Sequence, residues 1–218
     1  MADNRLYVAH DTVAAAGEGQ WVEQKGNKMG FQIVVDFYTQ MAIEGRAFQV
    51  SAGTVTTPAV GDIVITDTAA DMCIDAALGT TIIPVYGNVS LNLAANALVE
   101  VAGKSVGVAS TVGAAFVPLP LLAGGVAAVS TARVAETGAA ATGVTVTGEL
   151  DTTTLRHFSW SQPIAAGAWN TWYDWTPKAP PILNGVRCFY FQIAAGATAG
   201  PSYYAHFDYI ELPTTKVS

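Results

Sequence analysis

Apolar and polar positions alternate with a period of two along most of the chain, the signature of half-buried strands. In TTIIPVYGNVSLNLA (80–94), Val89, Leu91 and Leu93 fall on one side and Ser90 and Asn92 on the other, while Pro84 marks an edge, a bulge or a break. FQIVVDFYTQMAI (31–43) places Phe31, Ile33, Val35 and Phe37 on one parity and Gln32, Asp36 and Gln40 on the other. GDIVITD, ALVEVAGKSVGV, GVTVTGEL, LRHFSWS, VRCFYFQIA and YYAHFDYIEL read as further short strands, and nearly every join contains Gly, Pro, Asn or Asp. YYAHFDYIEL is apolar or aromatic on both parities, which predicts a strand covered on both faces. The sole stretch with helical propensity is VAAVSTARVAETGAAATG, whose glycines and threonines argue against a long helix. About eight to ten strands, with no alternation with helices, predict an all-β fold, an antiparallel sandwich.

Residues 1–30 are polar and glycine-punctuated, with Trp21 the one large apolar anchor, and read as an N-terminal arm able to reach a neighbouring subunit. Residues 31–218 read as one sandwich domain; a two-domain chain would divide in the Ala/Gly-rich stretch between about 105 and 142. That stretch holds an uncharged run, SVGVASTVGAAFVPLPLLAGGVAAVSTA (105–132), long enough to span a bilayer. Pro118, Pro120 and the Gly124-Gly125 pair interrupt the helix that a span requires, so no membrane insertion is expected. Whether the run is core, interface or membrane-active stays open at this level.

Composition changes the picture. Hydrophobic residues make up 51% of the 218 and charged residues 12%, about half the usual charged share. An exterior this poor in ions is best hidden against other copies of the chain. Formal net charge is -7 and the pI about 4.7, and the few cations form no stripe that could follow a phosphate backbone, so direct nucleic-acid binding is not expected. Asp62, Asp67, Asp71 and Asp75 read as a solvated rim of loops. Cys188 reads as a buried small hydrophobe, and whether it pairs with Cys73 is left open, since one pair is no disulfide framework. The N-terminal MADNRLYVAHD lacks the regions of a signal peptide, which predicts synthesis in a cytoplasm without export by that route.

Candidate chemistry is sparse. AGKS (102–105) lacks the second glycine of a phosphate-binding loop, position 98 being leucine. His10, His157 and His206 lie in unrelated segments without metal-ligand spacing. DMCID (71–75) sets two carboxylates around a thiol without the glycine turn or terminal glutamate of a calcium loop. His206 and Asp208 share a parity, but no nucleophile elbow accompanies them. Asn88-Val89-Ser90 fits a glycosylation pattern that is idle without secretion. No catalytic residue, cofactor or metal is expected.

The most unusual stretch is WSQPIAAGAWNTWYDW (160–175), with four of the five tryptophans. Trp160 falls in a strand-like segment and reads as core. Trp169, Trp172 and Trp175, with Tyr173, lie on what reads as a connection, and three indoles there point to an intersubunit contact. A carbohydrate-binding sandwich that stacks the same tryptophans on sugar rings is the alternative.

The strand runs FQIVVDFYTQMAI, TTIIPVYGNVSLNLA and YYAHFDYIEL, spaced over roughly residues 31–212 behind a polar arm, resemble the single jelly-roll proteins of virus particles. The resemblance implies a jelly-roll capsid or capsid-decoration subunit, located in the virion, that packs with copies of itself and with other virion proteins and performs no catalysis. The arm departs from capsid proteins that hold a genome through basic residues: Arg5, Lys25 and Lys28 face Asp3, Asp11, Glu18 and Glu23.

Overall fold

The computed structural model describes residues 5–7, 21–23, 36–66, 68–135, 144–147, 155–167, 171–196 and 200–217. In the arm, β1 (Arg5–Tyr7) and β2 (Trp21–Glu23) pair antiparallel, Trp21 opposite Tyr7. A short helix, α1 (Phe37–Ile43), leads into β3 (Ala47–Ala52) and β4 (Ala59–Val60). Next come β5 (Ala69–Ala70), β6 (Met72–Ala76), β7 (Thr80–Asn92) and β8 (Ala97–Val106). The connection that follows carries β9 (Ala114–Phe116), β10 (Leu119–Pro120), β11 (Thr131–Val134) and β12 (Val144–Thr145). The chain closes with β13 (Leu155–Ile164), β14 (Thr171–Trp175), β15 (Leu183–Asn184), β16 (Arg187–Ala195) and β17 (Ser202–Pro213).

Two antiparallel sheets pack face to face, as the alternation predicts. One runs β10-β3-β17-β7-β14, with β4 on β17 and β15 on β7; the other runs β13-β8-β16-β6-β11-β9. Take the eight longer strands β3, β6, β7, β8, β13, β14, β16 and β17 in chain order. The first, eighth, third and sixth are neighbours in one sheet, and the second, seventh, fourth and fifth in the other. That interleaving is the strand order of a jelly roll.

The core is the inward parity of both sheets. Tyr203, Ala205, Phe207 and Tyr209 of β17 meet Phe189, Phe191, Ile193 and Ala195 of β16, with Met72, Ile74, Val89, Leu91, Val99 and Val101 around them. Phe207 sits edge-on to Phe189 at 5.4 Å, a favoured aromatic geometry. Two glycines make room for rings: a Cβ at Gly87 would meet Phe191 Cζ at 2.6 Å, and one at Gly103 would enter the Phe158 ring. Gly103 is the glycine of AGKS, so that motif is a packing notch in β8. Pro84 marks a bulge: Asp208 pairs with Tyr86 and Tyr209 with Pro84, leaving Val85 extra. On its other side β7 is paired at 81–82 by β15 and at 87–91 by β14, so the missing proline N–H falls in a gap.

Three expectations are corrected. FQIVVDFYTQMAI is not a strand where it is described: Phe37–Ile43 is helical, because the Asp36 carboxylate caps it, accepting the Thr39 N–H at 3.0 Å. Residues 31–35 lie outside the described residues. Met41 of this helix packs on Ile83 and Ile210, covering one end of the outer face of β17. GDIVITD is likewise not a strand where it is described: among its described residues only Asp62 bridges, to Ala194, and Ile63 and Val64 are exposed. Within VAAVSTARVAETGAAATG, Thr131–Val134 is the strand β11, paired on both sides. No helix among the described residues is long and apolar enough to cross a membrane.

Candidate functional site

The tryptophan stretch resolves by parity. Thr171–Trp175 is an edge strand, β14, rather than a connection, and its side chains alternate. Trp175 points inward and is 6% exposed, stacked on Phe189 at 5.6 Å and against Phe158 at 5.0 Å. It is core, which corrects its assignment to an intersubunit contact: an inward position on a sandwich strand has no face left for a neighbour. Tyr173 also points inward, half-buried against Phe158 and Trp160. Trp160 is half-buried and packs on the core. Trp172 points outward and is 70% exposed. Two residues along the same face, Asp174 accepts Tyr86 Oη at 2.7 Å and Asn88 Nδ2 at 2.6 Å. Those two donors hold its carboxyl below the usual carboxylate range, the Asn88 bond most strongly. Trp169 and the Trp21 side chain lie outside the described residues.

The uncharged run 105–132 supplies an apolar surface. After β8 it extends the six-stranded sheet through β9, crosses to the seven-stranded sheet as β10 beside β3, and returns as β11 beside β6. It therefore wraps one side of the sandwich and leaves side chains outside. Val117, Leu119, Val126 and Val129 are 56%, 65%, 80% and 67% exposed, and Leu121 and Leu122 are exposed beside them. The rim is pinned: Leu121 N–H donates to the Ala47 carbonyl at 3.0 Å. Both Glu211 oxygens accept backbone amides, from Val129 at 2.8 Å and Ser130 at 2.9 Å. A backbone pinned in this way has less entropy to lose on contact. A groove lined by Phe48, Val126, Val129 and Leu212 opens beside it, with Glu44, Arg46 and Glu211 among its walls. The signal for this rim in the sequence was the absence of charge over 105–132, but charge alone did not separate core from surface.

The histidines assemble no reaction centre among the described residues. His157 shares a hydrogen bond with Ser105 Oγ at 2.8 Å and packs on Phe189; burial pushes its pKa down. His206 rests on Tyr86, while Asp208 accepts Tyr38 Oη at 3.1 Å and Gln49 Nε2 at 3.0 Å. Two of the four clustered aspartates are not solvated, contrary to expectation. Both Asp71 and Asp75 are buried: Asp75 lies on the outer face of β6, covered by the Ser110 loop and the cluster of Val144 and Val146, whereas Asp71 precedes β6 and sits against Ile193 and Tyr203. Asp75 accepts Ser110 N–H at 2.8 Å and Ser110 Oγ at 2.6 Å; Asp71 accepts Ile193 N–H at 2.6 Å. Asp67 lies outside the described residues, and Asp62 is half-buried.

Comparison with protein-family models, with curated proteins and with solved structures finds no match for this chain.

Proposed function

We propose that the chain is a self-assembling structural protein, a capsid or capsid-decoration subunit of a virus particle, acting through packing against copies of itself. The observation that carries the reading is the pinned apolar rim from Val117 to Val129, with six large aliphatic side chains exposed in an uncharged run. An apolar surface of this kind on a chain with few ions is best accounted for as an interface. The jelly-roll strand order is compatible with the reading, as a fold-level analogy, since the same architecture also hosts lectins and enzymes. Symmetric copies would bury the rim, and a contact between different surfaces gives a ring if its rotation closes.

Leu119→Asp and Val126→Asp test it. Light scattering of the wild-type chain is expected to give a discrete oligomer, with each substitution weakening association about 30-fold or more, the effect of losing an interface anchor. A wild-type chain that stays monomeric at high concentration overturns the reading. A second reading, a sugar-binding sandwich, is favoured by one observation: the exposed Trp172 indole beside the anchored Asp174. Glycan binding by a monodisperse monomer, lost in Trp172→Ala, would establish it in place of assembly.

A further inference from the structure

On the outer face of the six-stranded sheet, Cys73 and Asp75 of β6 and Cys188 of β16 bring two sulfurs and a carboxylate together. Their ligand atoms lie within 4.8 Å of one another and all three residues are buried. We propose that they form a binding site for a thiophilic divalent cation, with zinc the member that fits.

The strand register is the first argument. Cys188 stands opposite Asp75, and Tyr190 opposite Cys73, so the two cysteines are diagonal neighbours. Diagonal pairs have Cα atoms roughly 7–8 Å apart, beyond the span of about 6.8 Å that a disulfide tolerates. The sulfurs therefore approach without a route to an unstrained S–S bond, and both cysteines are free. A metal bridges such a gap. Tetrahedral zinc with Zn–S near 2.3 Å and Zn–O near 2.0–2.2 Å sets its ligand atoms about 3.5–3.8 Å apart, a separation that small side-chain rotations reach from here.

The carboxylate is already aimed. Ser110 N–H and Oγ donate to Oδ1 and Oδ2 of Asp75 at 2.8 and 2.6 Å, and Arg133 Nε stands 3.7 Å from Oδ2. Such outer partners orient a ligand and tune its basicity. Cys73 Sγ donates to Ser110 Oγ at 3.1 Å, which places that hydroxyl beside a fourth coordination position. Charge also closes: two thiolates, one carboxylate, the Arg133 guanidinium and a divalent cation sum to zero, leaving no bare ion in the site. On binding, each thiol releases its proton to solvent as an S–metal bond forms, and Asp75 supplies an oxygen. Two sulfurs disfavour calcium and magnesium, which take oxygen ligands. A bound ion would fasten the Ser110 loop and the cover of Val144 and Val146 onto the sheet.

Cobalt(II) is the probe. The full chain, reduced and dialysed against chelator, is titrated with Co²⁺ and read for sulfur-to-cobalt charge transfer in the near ultraviolet and tetrahedral bands in the visible. Saturation at one equivalent, displacement by Zn²⁺, and about tenfold or greater weakening in Asp75→Asn are expected. The asparagine keeps an acceptor for Ser110 N–H, so that variant retains the loop anchor. A folded wild-type chain that gives no cobalt–thiolate absorption overturns the proposal. So does a Cys73–Cys188 disulfide found by mass spectrometry of the unreduced protein. The wild-type reading stands whatever happens to the folding of a cysteine variant.

Discussion

Asp71 is an acid where the sequence pattern leaves room for solvent and the fold removes it. It is 3% exposed. Burial holds its carboxyl well above the ordinary 3.8, the Asp62 charge adds to this, and the hydrogen bond from Ile193 N–H works the other way and loses. The folded chain therefore keeps a proton that the unfolded chain gives up. Stability is fully present below the unfolded value, then falls as pH rises through the folded one. Asp71→Asn keeps an acceptor for Ile193 and removes that proton. Thermal melts are expected to show the variant gaining on the wild type as pH climbs from about 4 to about 7; parallel curves would refute the shifted carboxyl. Nothing in DMCID announces that the strand face carrying Cys73 and Asp75 is roofed by the Ser110 loop and by Val144 and Val146. That roof is a contact over 35 residues and more in the chain.

Elements were legible where alternation ran long and were misread where one local interaction outranked it. β7, β8, β16 and β17 follow their period-two patterns. At α1, one capping carboxylate at Asp36 outweighed a β-rich composition. At β14, a five-residue strand hid among glycine, asparagine and proline and looked like a loop. Once the strand is recognised, the tryptophans sort themselves: Trp175 inward, Trp172 outward. Trp175→Ala is expected to cost about 3–5 kcal/mol as a core truncation. Gly103→Ala is expected to cost about 1–3 kcal/mol, since its Cβ would displace Phe158. Chemical denaturation measures both. A neutral Gly103→Ala would mean the Phe158 ring moves aside without loss.

For the whole molecule, charge sets the sign of the salt effect. Copies carrying a net charge of -7 repel one another, and salt screens that repulsion over about 10 Å at 0.1 M. Association through the uncharged rim is therefore expected to strengthen as sodium chloride is raised and as pH falls toward the pI of about 4.7. Sedimentation across a salt series measures it, and association that salt dissolves would point to ion pairs in place of the rim. The sequence by itself determined the all-β class, the positions of the long strands and the placement of an uncharged run at 105–132, because these depend on period and composition, which are local. The tertiary structure alone decided that the run wraps one side of the sandwich with six aliphatic side chains left exposed, that Asp75 and the two cysteines are enclosed together, and that one indole of β14 is buried while another is bare. Each of those outcomes depends on which distant segment covers a given face, and in a jelly roll the covering strand comes from far along the chain.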